Sequence, residues 1–162
     1  MAAPETLVTQ AELERAITLE KLRQILPAAG RKEPDTERVA LALRSGTGAV
    51  LGPVAKAILP GGIDEWWDAA TTTERDKAEL KRLALSASIY YVHFYGLKAE
   101  EIPDALLTEM ERAETRAKEI GDHYATIGAK ANPAASTQNE WLYNPGAGHY
   151  PSGSGRKNWS NF

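Results

Sequence analysis

The chain has 162 residues, 43% hydrophobic and 25% charged, with a net charge of −3, the composition of an ordinary globular domain and not of a disordered chain. It contains no cysteine, which excludes disulfides, thiolate metal sites and cysteine nucleophiles together. Residues 1–129 carry 16 basic and 21 acidic side chains, whereas residues 130–162 set Lys130, Arg156 and Lys157 against Glu140. An acidic body with a mildly basic tail is a poor general binder of nucleic acid, because duplex affinity comes from clustered Lys and Arg on phosphates.

Met1 to Glu5 lacks the charged and apolar regions of a signal peptide. The apolar stretch Leu80–Tyr95 is interrupted by Lys81, Arg82 and His93, so it is too short and too polar to span a bilayer. Synthesis and assembly in the cytoplasm, without a membrane partner, are the expectation.

Thr9-Gln10-Ala11-Glu12 has the pattern of a capping box and predicts a first helix. Leu13, Ile17, Leu22, Ile25 and Leu26 form its apolar face, with a spacing that allows a break into two pieces near Thr18. Pro27 and Gly30 end it. Asp35 or Thr36 caps a second helix reaching about Leu59, anchored by Val39, Leu43, Val50, Val54 and Ile58. Its middle is built of small residues, with Gly46, Gly48 and Gly52 among them. Each Gly costs roughly 1 kcal/mol relative to Ala inside a helix, so these positions mean either close approach of another backbone or a break around Gly46–Gly48. Pro53 adds a kink signal.

Residues 63–72 read as a connection containing Trp66 and Trp67. Adjacent side chains of a regular element point apart, so one of the two is expected in solvent or at a subunit contact, while a wide irregular loop would bury both. Thr73 caps a third helix, whose core face is predicted as Leu80, Leu83, Ala84, Ala87, Tyr91 and Phe94. Pro103 suits the first turn of a fourth helix. There Leu106, Met110, Ala113, Ala117, Ile120, Tyr124 and Ile127 alternate by four and three residues, which marks an apolar seam. Gly128 is its expected stop. The fold class is therefore all-α: a small bundle of about four helices with a long last helix over residues 1–128, followed by an extended arm over 129–162.

That arm is rich in Gly, Pro, Ser and Asn, yet it holds Trp141, Tyr143, Tyr150, Trp159 and Phe162, five of the twelve aromatic residues in the chain. A segment of this composition buries too little apolar area to order itself. Its aromatic rings are the natural anchors on a partner surface.

Residues that would carry chemistry are scattered. His93, His123 and His149 have no helical pair spacing among them, so no metal site is expected. His93, amid Tyr90, Tyr91, Phe94 and Tyr95, reads as a packed or capping residue and not as a base. Arg44-Ser45-Gly46-Thr47-Gly48, Gly146-Ala147-Gly148 and Gly153-Ser154-Gly155 lack the preceding strand and the Gly-Lys-Ser/Thr of a phosphate loop. The acidic pairs Asp64-Glu65 and Glu100-Glu101 read as solvated or as complementing helix dipoles. No catalytic, cofactor-binding or metal-ligating residue is assigned, and the chain is not expected to be an enzyme.

Four stretches, Thr9–Leu13, Asp35–Leu43, Leu80–Tyr95 and Leu106–Gly128, follow one another in an order and spacing that resembles head-tail connector proteins of tailed phages, in particular the Mu-type prophage group. The resemblance covers about 120 residues and includes no catalytic motif. It implies a virion protein of the phage neck, a helical adaptor that forms a homo-oligomeric ring, commonly of twelve copies, beneath the portal. The implied partners are the portal protein and a tail-side connector or tail terminator, with DNA only as cargo passing through the channel. The C-terminal segment would reach the portal or a neighbouring subunit, although this one is longer than the usual ending of the family. A cytosolic protein-binding or regulatory module whose tail folds on its partner is the alternative reading.

Overall fold

The computed structural model describes residues 4–28, 33–58 and 62–131. Among them the chain is all-α: α1 is Gln10–Ile17, α2 Leu19–Ile25, α3 Thr36–Ala57, α4 Gly62–Asp68, α5 Glu74–Gly96 and α6 Asp104–Ala131, with a 3-10 turn at Ala99–Glu101. The expected first helix is two, and the expected connection after α3 carries the short α4. Residues 132–162, and with them every aromatic anchor predicted for the arm, lie outside the described residues.

Local chemistry sets the helix starts. At α1 the Glu12 amide donates to Thr9 Oγ1 at 3.3 Å while the Thr9 amide donates to the Glu12 carboxylate at 2.9 Å, so the capping box closes in both directions. Asp35 Oδ1 accepts from the amides of Glu37 and Arg38 at 3.1 and 3.2 Å. Thr73 Oγ1 accepts from the Asp76 amide at 3.1 Å. Between α1 and α2 stands Thr18 at φ 65°, which ends one helix and caps the next by accepting from Lys21. A β-branched residue is strained there. What holds it is the apolar face on either side: Leu13, Ile17, Leu22, Ile25 and Leu26 are all buried, and one straight helix would not turn both sets inward.

The centre of the body is the pairing of α3 with α5. α3 runs unbroken through Gly46, Gly48, Gly52 and Pro53, so the small residues serve close approach and not a break. A Cβ on Gly46 would lie 2.6 Å from the Ser88 backbone nitrogen and 2.7 Å from its Cα, closer than any side chain tolerates. Beside it the buried Thr47 hydroxyl accepts from the Leu7 amide at 3.0 Å, which ties the N-terminal segment to the crossing. α6 meets α3 in the same manner: a Cβ on Gly121 would come within 2.9 Å of Val54 Cα and of Ala57 Cβ. Arg116 of α6 reaches Glu79 of α5 at 2.8 Å.

The predicted core faces hold with two corrections. On α5 the buried positions are Leu80, Leu83, Ala84, Ala87, Ser88, Val92 and His93, while Tyr91 is half-buried and Phe94 is 49% exposed. At 3.6 residues per turn Tyr91 and Phe94 lie on the same side of the helix as Leu80, Ala84 and Ala87, so the apolar stripe runs on past the part of α5 where that side is covered, and Val92 and His93 on other sides are buried there instead. On α6, Ala113, Ala117, Ile120 and Tyr124 are buried, but Leu106 and Met110 are half-buried and Ile127 is 40% exposed. The helix also passes the stop expected at Gly128 and continues to Ala131.

Two of the three glycines of α3, Gly46 and Gly48, make a controlled comparison. Gly46→Ala should destabilise the body by about 1 to 3 kcal/mol through overpacking. Gly48→Ala, where an added Cβ meets nothing within 4 Å, should stabilise it by up to about 1 kcal/mol through helix propensity. Denaturant unfolding checks both, and equal midpoints would contradict the crossing geometry. On α6, Ile120→Ala should cost on the order of 2 to 5 kcal/mol and Met110→Ala distinctly less, read from the same unfolding curves.

Candidate interaction surface

Two aromatic groups stand at opposite ends of α5, and they differ in what their rings touch. At the N-terminal end, Trp66 of α4 is buried and lies edge-on to Tyr124 of α6 at 5.1 Å. The Tyr124 hydroxyl donates to Asp76 Oδ2 and accepts from the Thr73 amide at 3.1 Å. The Thr73 hydroxyl also donates to Asp76, at 2.7 Å. The Thr72 hydroxyl closes the corner on the carbonyl of Trp66. The Tyr124 hydrogen bond, followed by that of Thr73, lowers the Asp76 carboxyl pKa against the opposing effect of burial. Burial, then Asp76, raises the Tyr124 phenol. The cap of α5 is thus fastened to α4 and α6 at one point.

Of the adjacent tryptophans proposed for a subunit contact, Trp66 belongs to this corner. Trp67 is half-buried, edge-on to Trp66 at 6.0 Å, and carries the Lys77 ammonium over its ring at 5.7 Å. The pair divides as the alternation of side chains in a helix requires, with Trp67 the one that meets solvent.

At the other end, Tyr90, Tyr91, Phe94 and Tyr95 form a ladder along the last two turns of α5. Tyr90 stacks on Phe94 at 6.1 Å and Tyr91 on Tyr95 at 6.0 Å. Tyr91 and Phe94 meet edge-on. Tyr95 is hydrogen-bonded to Ser45 of α3 at 2.9 Å, which fixes one edge of the ladder on the body. Burial, then the charge of Glu114, raises the Tyr91 phenol pKa. Phe94 presents its ring to solvent, and Leu107 at the start of α6 is 39% exposed. Sequence reasoning placed Tyr91 and Phe94 in the core. Their spacing puts them on the stripe of Leu80, Ala84 and Ala87, and only the burial of Val92 and His93 beside them shows that a different side of α5 is covered at this end.

The remaining polar groups are occupied or scattered. His93 is buried and donates from Nδ1 to the Ile89 carbonyl at 2.9 Å, a packed residue as its neighbours predicted. His123 is exposed and lies edge-on to Tyr124 at 5.5 Å. Among the described residues no three His, Cys, Asp or Glu side chains gather as a metal site would require, and no helix is long and apolar enough to cross a membrane. A shallow concavity between α3 and α6, lined by Pro53, Lys56, Ala57, Lys118 and Asp122, has its Lys118 bonded to Asp122 at 2.6 Å. Another between α1 and α5, lined in part by Val8, Glu12, Lys81 and Leu85, has Lys81 bonded to Glu12 at 2.7 Å.

No protein-family model, curated protein or solved structure matches the chain.

Two measurements test the electrostatics of these corners. The Lys81 hydrogen bond, then the Thr9 amide, lowers the Glu12 carboxyl from 4.5 to about 2. A depressed folded-state pKa contributes stability above the unfolded value, and that stability is lost as the pH falls through the folded one. The melting-temperature difference between wild type and Glu12→Gln should therefore be full above pH 4.5 and vanish as the pH approaches 2. Tyr124→Phe removes a hydrogen bond to a carboxylate, a class of bond contributing about 1.5 to 3 kcal/mol. It should lower stability at neutral pH and raise the Asp76 pKa, both readable by carboxyl-resolved NMR titration and thermal melts. An Asp76 titration identical in the two proteins would exclude the bond.

Proposed function

We propose that the chain is a structural subunit of a head-tail connector, the ring that joins the portal of a tailed phage or phage-like particle to its tail and lets DNA pass. The observation that carries the assembly part of this reading is the aromatic ladder. A small body that leaves Phe94 half in solvent beside Tyr90, Tyr91 and Tyr95 carries the kind of apolar patch that marks a contact with another protein. The phage part rests on the order and spacing of the four helical stretches. The all-α body supports that reading: α1, α3, α5 and α6 occupy those four stretches in the same order.

The role is mechanical. The acidic body suits a channel wall along which DNA slides, because a basic lining would hold the phosphates. The partners are further copies of the chain, a portal protein above and a tail-side connector or terminator below. The segment after the body, with Trp141, Tyr143, Tyr150, Trp159 and Phe162, anchors the subunit on one of them. The ring sits in the neck of the virion.

Native mass spectrometry of the purified chain, alone and mixed with a portal protein encoded beside it, tests this. A closed oligomer of fixed copy number that adds to the portal is expected. Deleting the residues after Gly128 should leave the helical circular dichroism intact and abolish stable joining. A full-length chain that stays monomeric both alone and with the portal would overturn the proposal, as would a truncated chain that assembles as well as the whole one.

A further inference from the structure

The ladder at the end of α5 has a charged frame. Between residues 98 and 114 stand six carboxylates against two cationic side chains, Lys98 and Arg112, and Arg112 is spent on Glu109 at 2.7 Å. This stretch, from the 3-10 turn into the first turns of α6, follows directly on the ladder. Glu114 lies near enough to act on the Tyr91 phenol. An exposed ring, Phe94, therefore stands beside the most acidic part of the body. A partner for this surface has to offer aromatic or apolar side chains together with positive charge, since a neutral apolar segment would leave the carboxylates facing desolvation without recompense.

The chain itself contains such a segment. Its last seven residues are Arg156-Lys157-Asn158-Trp159-Ser160-Asn161-Phe162: two adjacent cations, then two large aromatics three residues apart. We propose that this segment of one copy docks on the ladder of another copy, with Trp159 and Phe162 against Tyr90, Tyr91 and Phe94, and with Arg156 and Lys157 against the carboxylates of residues 98–114. The proposal deepens the ring reading above and rests on it for the choice of a second copy as owner of the segment.

Reach permits the contact. α6 is 28 residues long, about 42 Å at 1.5 Å per residue, and runs away from the ladder, so the chain leaves the body far from its own ladder. From Ala131 to Arg156 an extended backbone covers up to about 80 Å, enough to pass beyond one body to the next. Symmetry favours the intermolecular form. The ladder and the terminal segment are different surfaces that complement each other, not one surface that complements itself. A contact between unlike surfaces is heterologous and generates a closed ring when its rotation closes. The cationic pair would speed encounter and make association sensitive to salt, while the rings provide most of the hold.

The test places a photo-crosslinking amino acid at position 94 of the full-length chain. A one-to-one mixture of isotopically light and heavy copies is unfolded and refolded together before illumination. Crosslinks from position 94 into residues 156–162 are expected, with mixed light–heavy products as abundant as the two unmixed kinds combined. Crosslinks into the segment that are exclusively unmixed would overturn the proposal in favour of docking within one copy, and crosslinks that miss the segment would overturn it outright. In parallel, the double variant R156E/K157E and, separately, F94S should each weaken self-association at least tenfold by analytical ultracentrifugation, with an unchanged helical spectrum. Because Phe94 is half exposed, F94S leaves the core untouched, and unaltered association of both variants would count against the docking. The outcomes separate from those of the ring reading. A ring that joins a portal but shows no crosslink to 156–162 refutes the docking alone. Mixed crosslinks in a chain that ignores every portal offered sustain the docking and refute the connector.

Discussion

The body depends on how closely two helices can approach. α3 and α5 cross where Gly46 faces the backbone of Ser88, and both the N-terminal segment and α6 pack on α3. α1 is drawn in through the hydrogen bond from Leu7 to Thr47, one residue from the contact. α6 lies against α3 through Gly121, where a second side chain is missing for the same reason. Helix pairs with larger side chains at the contact stand 8 to 10 Å apart, and the absence of a Cβ lets these axes come nearer. The energetic consequence is that α3 tolerates three glycines, each unfavourable for an isolated helix, because tertiary packing and not propensity decides its stability.

Much of this was legible in the sequence, and the division between what was and was not has a physical basis. Thr9 with Glu12, Asp35, and Thr73 announce helix starts because a cap is a local device, made within four residues of chain. The buried faces of α1 and α2 were legible for the same reason, as was the middle of α6. The role of Gly46 was open because its partner, Ser88, is 42 residues away and no local pattern names it. Phe94 was misplaced because apolar spacing reports that a face exists and not where a neighbouring helix ceases to cover it. Likewise Tyr124 was recognisable as a seam position through its ring, while its hydroxyl, which gathers Asp76 and Thr73, depended on α5 beginning beside it. The aromatics of residues 132–162 were legible only as composition.

The two aromatic ends of α5 use the same chemistry for opposite purposes. Around Trp66 and Tyr124 the rings face inward and their polar edges find acceptors within the body, apart from the Trp66 indole nitrogen, which has no hydrogen-bond partner among the described residues. Around Tyr90 and Phe94 the rings contact each other but stay open on one side. An inward cluster adds stability by burying area. An open cluster on a rigid helix keeps its rings in a fixed order and so lowers the entropic cost of meeting a second surface.

α6 is held unevenly along its length. From Ala113 to Tyr124 its inner face is buried, packed on α3 at Gly121 and bonded to α5 through Tyr124, whereas Leu106 and Met110 are half-buried and Ala105 and Leu107 stand in solvent. The free energy for opening a segment follows its buried contacts, so one continuous helix contains two thermodynamic parts. Its first two turns are therefore expected to open at a lower free energy than the rest, and amide hydrogens there to exchange ahead of those from Ala113 to Tyr124. The acidic frame of the ladder can thus adjust to an incoming chain without loosening the crossing of α3 and α5.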